Sequence, residues 1–430
     1  MTDALEETLI ARATEVSRTV LRANAEGVDE TGEFPHASVD AIRVAGLLPL
    51  TAPGKYGGHE ASLLTTCRVL EELGAGCAST ALVMAMHWIS LQYLGDWCLE
   101  PIESAEREQL AQLRDGVFGD VVSNGATVAS CYGEPGSGPN VFLPFTRAEP
   151  GDGGWTVTGR KFGTLADVAT YLACHAVVAS GPQAGAVVQF IVPARTPGIR
   201  VVARMSRLAG VRGAAPCAVE FEDCLIADRH RFLPPGVFQP TNDAYPYATL
   251  LLAAPYVGVA RASIAAAVAY ARRRTVQGTD RPLAAHFDAR RTVAELVVDF
   301  ESARALLYRA AAEAVPNPPP GVRVLNEAAR ARVATMVTHV TTEALQMSGV
   351  RNLSRPSVLE RLVRDSLAGA MHPPTTAQSL RLIGDLTLGA DPGEEFRTPA
   401  LGPGERLAPA AAWWWDGGDQ GPVTSGEVSG

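Results

Sequence analysis

The sequence predicts an α+β chain in which a helical N-terminal domain, a middle β-domain and a helical C-terminal domain follow one another. Three observations carry this. Apolar residues between Ala61 and Tyr93 (Leu70, Leu73, Cys77, Leu82, Met86, Ile89) recur near helical spacing. From about Asn124 to Leu233 the pattern changes to period-two runs broken by Gly and Pro, as strands and turns require. From about Asn242 onward the chain is helical again. Leu250–Arg274, Ala289–Ala314 and Leu325–Gly349 are long stretches rich in Ala, Leu and Val. These changes predict domains over 1–122, 123–235 and 236–390, with a Gly/Pro-rich tail over 391–430.

Each element has a local reason. Helical pattern runs from Ala4 to about Val117, interrupted by Gly74 and Gly76, and Ala78-Ser79-Thr80 reads as a second helix start. Gly133, Gly136 and Gly138 surround Pro135 in ASCYGEPGSG, so this backbone can turn tightly and approach a ligand closely. A turn at Gly151–Gly154 opens a strand in which Trp155, Val157 and Gly159 alternate, and Leu172–Ala179 is an apolar run of strand length. Val315-Pro316-Asn317 and the three prolines after it end one helix, and antiparallel helices joined by such a turn read as a bundle. Trp413-Trp414-Trp415 in the tail is expected to dock on the body or on a neighbouring subunit.

Composition narrows the function classes. Apolar residues make up 47% of the 430 and charged residues only 19%, which suits a substantial core rather than disorder. A net charge of −9 with no dense basic stretch argues against nucleic acid as a partner. None of the seven cysteines shows C-x-x-C spacing, so neither a zinc site nor a redox dithiol is signalled, and no metal is expected. Free thiols fit a reducing cytoplasm. Lys55 and Lys161 are the only lysines, which leaves few candidates for Schiff-base chemistry. The N-terminus, MTDALEETLIARA, is acidic and helical in pattern rather than signal-like. No apolar run approaches the ~18 residues of a membrane span, so a cytoplasmic protein that does not enter a membrane is expected.

Several stretches resemble the acyl-CoA dehydrogenase superfamily from about Ala4 to Gly389. GEPGSG is similar to the family's TEPGAGSD, and GGWTVTGRKF to its G-x-K strand-turn-strand motif. LEELGAGCASTALVMAMH and LAGVRGAAPCAVEFEDCLI resemble its EELGRxCxSTAxxxxxH and G-x-R-G-x…V-x-F-x-x-V segments. The resemblance implies an N-terminal helical domain, a middle β-barrel-like domain and a C-terminal four-helix bundle. It also implies FAD bound between the β-domain and the bundle of a homotetramer or dimer.

Arg272–Arg274 has two readings, favourable cations at a helix C-terminus or a guanidinium clamp on a diphosphate. AYARRRTVQGTDRPLAAHFDA is similar to the family segment whose arginine reaches the FAD pyrophosphate across a subunit interface, and Arg274 takes that place. Gln277 and Asp288 stand where the family has Phe and Gln, so this wall of the site has changed. Gln346 and Gly349 match positions that touch the flavin nucleotide's diphosphate, with Val350 in place of a second Gly. In the glycine loop Gly133 replaces the family's Thr, and Pro139-Asn140 its Ser-Asp, leaving backbone contacts from Gly133 to Gly138. Tyr132, Thr164, Tyr247 and His372 are candidates to line a polar pocket there. Arg364-Asp365 matches a structural RD pair.

The family's catalytic glutamate sits eight residues after that Asp, which falls on Pro373; its alternative place, one helix earlier, falls on Ala248. Removing a proton α to a thioester needs a positioned base. His372 and Asp243 are the possible replacements, and His372 titrates nearer working pH. One reading is therefore an FAD oxidoreductase oxidising an acyl group, carried as a CoA or carrier-protein thioester, with a non-standard base and an electron-transfer flavoprotein as partner. Flavin monooxygenases on the same fold also lack the glutamate. The second reading is thus a two-component monooxygenase hydroxylating carbon or nitrogen of a small molecule, with reduced flavin supplied by a reductase. A third is a non-catalytic descendant.

Overall fold

Six helices come first in the computed structural model, which describes residues 3–95, 102–137, 144–205, 207–237 and 248–390. Helix α1 (Asp3–Val16) passes through one π-helical turn, Ser17–Leu21, into α2 (Arg22–Thr31), which stops at Gly32 with φ 67°. Then come α3 (His36–Val44), α4 (Leu63–Gly76), α5 (Ala78–Tyr93) and α6 (Ser104–Asn124). Ser62 caps α4 by accepting the Thr65 N–H at 3.1 Å. The break expected near Gly76 falls at Cys77, whose extended backbone (φ −153°, ψ 111°) separates α4 from α5.

The middle of the chain forms eight strands, β1 (Val128–Cys131), β2 (Arg147–Gly151), β3 (Gly154–Gly163), β4 (Tyr171–Val178), β5 (Val187–Pro193), β6 (Ile199–Arg204), β7 (Cys217–Ala227) and β8 (Arg231–Leu233). They make one mixed sheet in the order β6-β7-β3-β2-β4-β5-β8, with β1 parallel to β4. Strands β2 and β3 close as a hairpin whose pairing ends at Gly151 and Gly154. Strand β7 pairs antiparallel with β3 and so brings Cys217 opposite Gly163.

Helices α7 (Ala248–Arg273), α8 (Phe287–Ala312), α9 (Pro320–Ser348), α10 (Val358–Met371) and α11 (Thr376–Leu388) form the C-terminal domain. Pro320 takes the first turn of α9, where a missing N–H costs nothing. Helix α7 corrects one expectation. By length and apolarity it is sufficient to cross a membrane, although 67% of its apolar window is buried inside the protein. It packs on α4 with the backbones nearly touching. A Cβ on Gly74 would overlap the Pro255 carbonyl, and one on Gly258 would overlap that of Glu71.

The Arg-Asp pair of α10 fastens the three parts together. Arg364 forks onto Asp29 of α2 at 2.7 and 2.5 Å and donates to the Ala209 carbonyl at 2.7 Å. Asp365, buried, accepts the Val211 N–H at 2.6 Å from the loop before β7. The two side chains thus bond to different neighbours and form no ion pair with each other.

Candidate active site

The residues singled out in the sequence fall in three groups on different elements. The first grows from the end of β1. The Phe162 N–H of β3 donates to the Gly133 carbonyl at 2.8 Å, which lays the glycine loop along β3. Tyr132, half-buried, accepts a hydrogen bond from Gln189 Nε2 and meets the His175 ring edge-on with centroids 5.1 Å apart. Burial pushes its phenol well above the ordinary range, so it remains neutral. Thr164, half-buried, is the first residue beyond β3. Gly138 lies outside the described residues, as do Asp243, Tyr247 and Trp413–Trp415.

A buried ionic cluster that the sequence did not single out supports this loop. Glu134 and Lys161 form an ion pair at 2.5 Å with side chains 1% and 0% exposed. Glu134 also accepts the backbone N–H groups of Phe145 and Thr146, the latter at 3.1 Å. Lys161 Nζ lies 2.7 Å from His175 Nδ1. Burial draws the lysine pKa below its ordinary value, and the Glu134 charge opposes that shift. Lys161 is thereby the buried mount of the glycine loop, since Glu134 is a member of that loop.

The second group is an edge of the C-terminal domain. Arg274 directly follows α7; its N–H bonds the Tyr270 carbonyl at 2.9 Å, and its own carbonyl accepts the Leu283 N–H at 2.7 Å. Its side chain is exposed and has no hydrogen-bond or ion-pair partner among the described residues. Gln346 is exposed in the last turn of α9, and Gly349 ends that helix at φ 79°, ψ 165°. A Cβ on Gly349 would lie 3.7 Å from the Tyr270 hydroxyl, so Tyr270, one turn before Arg274, joins the ends of α7 and α9. Free guanidinium, amide and a glycine backbone on one edge make a donor set suited to a diphosphate.

The third group surrounds His372 between α10 and α11. Its Nε2 is 2.9 Å from the Tyr256 hydroxyl of α7. Arg330 of α9, fully buried, donates to the carbonyls of Gly369 and of His372, the latter at 3.0 Å. Burial, then the Arg330 charge, pushes the imidazole down to about 4, so it is neutral at working pH. Pro373 and Pro374 follow, and Thr375 caps α11 in a capping box with Gln378. Ala248 is the first residue of α7. The loop joining α10 to α11 therefore carries no carboxylate. No group of three or more His, Cys, Asp or Glu suited to a metal occurs among the described residues.

N-terminal helices, a middle sheet with a glycine loop on a buried ionic mount, and C-terminal helices with a polar edge make up a three-part architecture. The N-terminal, middle and C-terminal domain descriptions of the acyl-CoA dehydrogenase family match residues 3–97, 129–224 and 250–376. The chain belongs to that family. It is 28% identical over 376 residues to 3-sulfinopropanoyl-CoA desulfinase of Paraburkholderia xenovorans (strain LB400), covering 85% of this chain and 91% of the relative. Among solved structures, butyryl-CoA dehydrogenase from Megasphaera elsdenii superposes with TM-score 0.78 at 21% identity, over 90% of this chain and 99% of that one. FMN-bound TdsC from Paenibacillus sp. A11-2, described elsewhere as a dibenzothiophene monooxygenase, gives 0.79 at 21% identity, over 89% and 97%. At these identities the structural likeness speaks to the fold.

Proposed function

We propose that the protein is a flavin-dependent monooxygenase acting on a small molecule. One observation carries the choice over dehydrogenation. Both places where a carboxylate base is expected are empty of one; of the two replacements, His372 faces the buried Arg330 cation and Asp243 lies outside the described residues. A proton taken by His372 would create an imidazolium beside that guanidinium in a desolvated corner, which is unfavourable. Hydroxylation by dioxygen requires no α-proton abstraction.

The residues present fit a flavin nucleotide. Arg274, Gln346 and the Gly349 backbone would hold its diphosphate, while Tyr132, Gly133 and Thr164 would flank its ring. Bound there, the flavin would supply two electrons, so that one oxygen atom of dioxygen enters the substrate and the other leaves as water. Tyr256 and neutral His372 would give the substrate a polar wall without a charge. A reductase would deliver the reduced flavin. The family likeness favours a binding edge completed by a second copy of the chain, and exposed Val350 and Phe287 on the C-terminal domain support a homo-oligomer. A sedimentation mass equal to the 45.3 kDa monomer would contradict that. Buried free thiols at six cysteines suit a reducing cytoplasm.

Dehydrogenation of an acyl thioester, with electrons passed to an electron-transfer flavoprotein, is the second reading. What favours it is that neutral His372 retains a ring nitrogen able to accept a proton. Turnover under isotopically labelled dioxygen with a flavin reductase separates the two. Label in the product of an aromatic, amine or thioether substrate is expected; a product formed without label by a thioester would overturn the proposal.

A further inference from the structure

Beneath the loop that carries His372, helices α9 and α11 enclose a set of polar groups that the hydrogen bonds of the protein do not satisfy. Asn326, Glu327 and Arg330 share one stretch of α9 and are 1%, 5% and 0% exposed. Both side-chain polar atoms of Asn326, Glu327 Oε2, Arg330 Nε, and the hydroxyls of Thr376 and Ser379 on α11 are buried without a partner among the described residues. The Ser379 hydroxyl lies beside Glu327 but does not reach hydrogen-bond geometry. Glu327 and Arg330 make no direct ion pair, although they are one turn apart on the same helix and influence each other's ionisation.

A buried carboxylate and a buried guanidinium are each costly unless paired and hydrogen-bonded. Six orphaned polar atoms on two packed helices are likewise costly, since buried polar groups in native proteins are nearly always satisfied. Where two such groups stand beyond contact distance, water is the usual bridge, and two to four polar partners are what a buried water needs. We propose that Asn326, Glu327, Arg330, Thr376 and Ser379 form a closed binding site for ordered water, which joins Glu327 to Arg330 and makes this hydrated pair the mount of the His372–Thr375 loop. Arg330 is then a positioning residue. Its remaining donors grip the carbonyls of Gly369 and His372, the last carbonyls of α10, and so fix where the imidazole meets Tyr256.

The proposal does not depend on which reaction the corner performs. It is tested first by the isosteric replacement Asn326→Leu in the full chain. In a dry site the change would remove two orphaned atoms and leave stability unchanged or improved. In a hydrated site it displaces water and unpairs the ions, so a lowered Tm is expected. A Tm that stays or rises overturns the proposal. A crystal structure of the unmodified protein should show water within hydrogen-bond distance of both Arg330 Nε and Glu327 Oε2; a direct Glu327–Arg330 contact with no water there overturns it.

The positioning role has its own readout. The groups that act on His372 and on its partner Tyr256 of α7 are Arg330 of α9 and Asp365 of α10, with Glu327 of α9 acting on Arg330. By NMR titration, Arg330→Met should move the His372 pKa from about 4 toward the ordinary 6.5, and Arg330→Lys should largely restore it. A His372 titration identical in the unmodified protein and Arg330→Met would remove Arg330 from that role. If Arg330→Met fails to fold, Asn326→Leu and the crystallographic water still decide.

Discussion

At the scale of single residues, Arg274 gives the most direct test of the cofactor edge. An exposed guanidinium with no partner among the described residues is free to bind a phosphate, and a charge-assisted hydrogen bond contributes about 1.5–3 kcal/mol. Arg274→Ala should therefore weaken flavin binding about tenfold or more in a fluorescence titration, with an unchanged Tm for the flavin-free protein. Equal affinities would take Arg274 out of the site. The sequence pointed to this residue because its motif is contiguous. The Glu134–Lys161–His175 cluster was not, since pairing of β3 and β4 with their neighbours, rather than spacing along the chain, brings those three together. Arg330 and Glu327 escaped notice for the same reason. On α9 they look like ordinary charged helix residues until α10 and α11 bury them.

Helices and strands were the more readable level. The hydrophobic period located α4 and α5 and the break between them, and prolines located the turn between α8 and α9. What the period did not convey is how closely α4 and α7 approach, because glycine in a helix normally signals a break rather than a crossing. Gly74→Ala puts a methyl group onto the Pro255 carbonyl and should cost about 1–3 kcal/mol through overpacking. Gly116→Ala in α6 meets nothing within 4 Å and should stabilise the protein by about 0.5–1 kcal/mol. Urea unfolding of the two variants measures both. Equal effects would mean that the α4–α7 crossing does not depend on the missing side chain.

At the scale of the whole molecule, Asp365 joins α10 to the loop before β7 at a cost that depends on pH. Burial, opposed by the Val211 N–H and nearby arginines, raises its carboxyl from 3.8 to about 6. The folded state thus holds this proton more tightly than the unfolded state does. The stabilising contribution is fully present below about pH 4 and is lost as pH rises to and through 6. Asp365→Asn keeps an acceptor for Val211 and removes the charge. It should match the unmodified protein near pH 4 and exceed its stability at pH 8 by on the order of 2–3 kcal/mol, one pKa unit being about 1.4 kcal/mol. A stability difference that does not change with pH would contradict the assignment.

The claim on which the functional reading rests is that the corner around His372 contains no base able to take an α-proton from a thioester. It is tested most directly by mixing the oxidised, flavin-loaded protein under nitrogen with a panel of acyl-CoA thioesters and following flavin absorbance by stopped flow. We expect no bleaching with any of them. Rapid bleaching by one thioester in the unmodified protein, abolished by His372→Ala, would show that His372 is a working base and that the protein is a dehydrogenase.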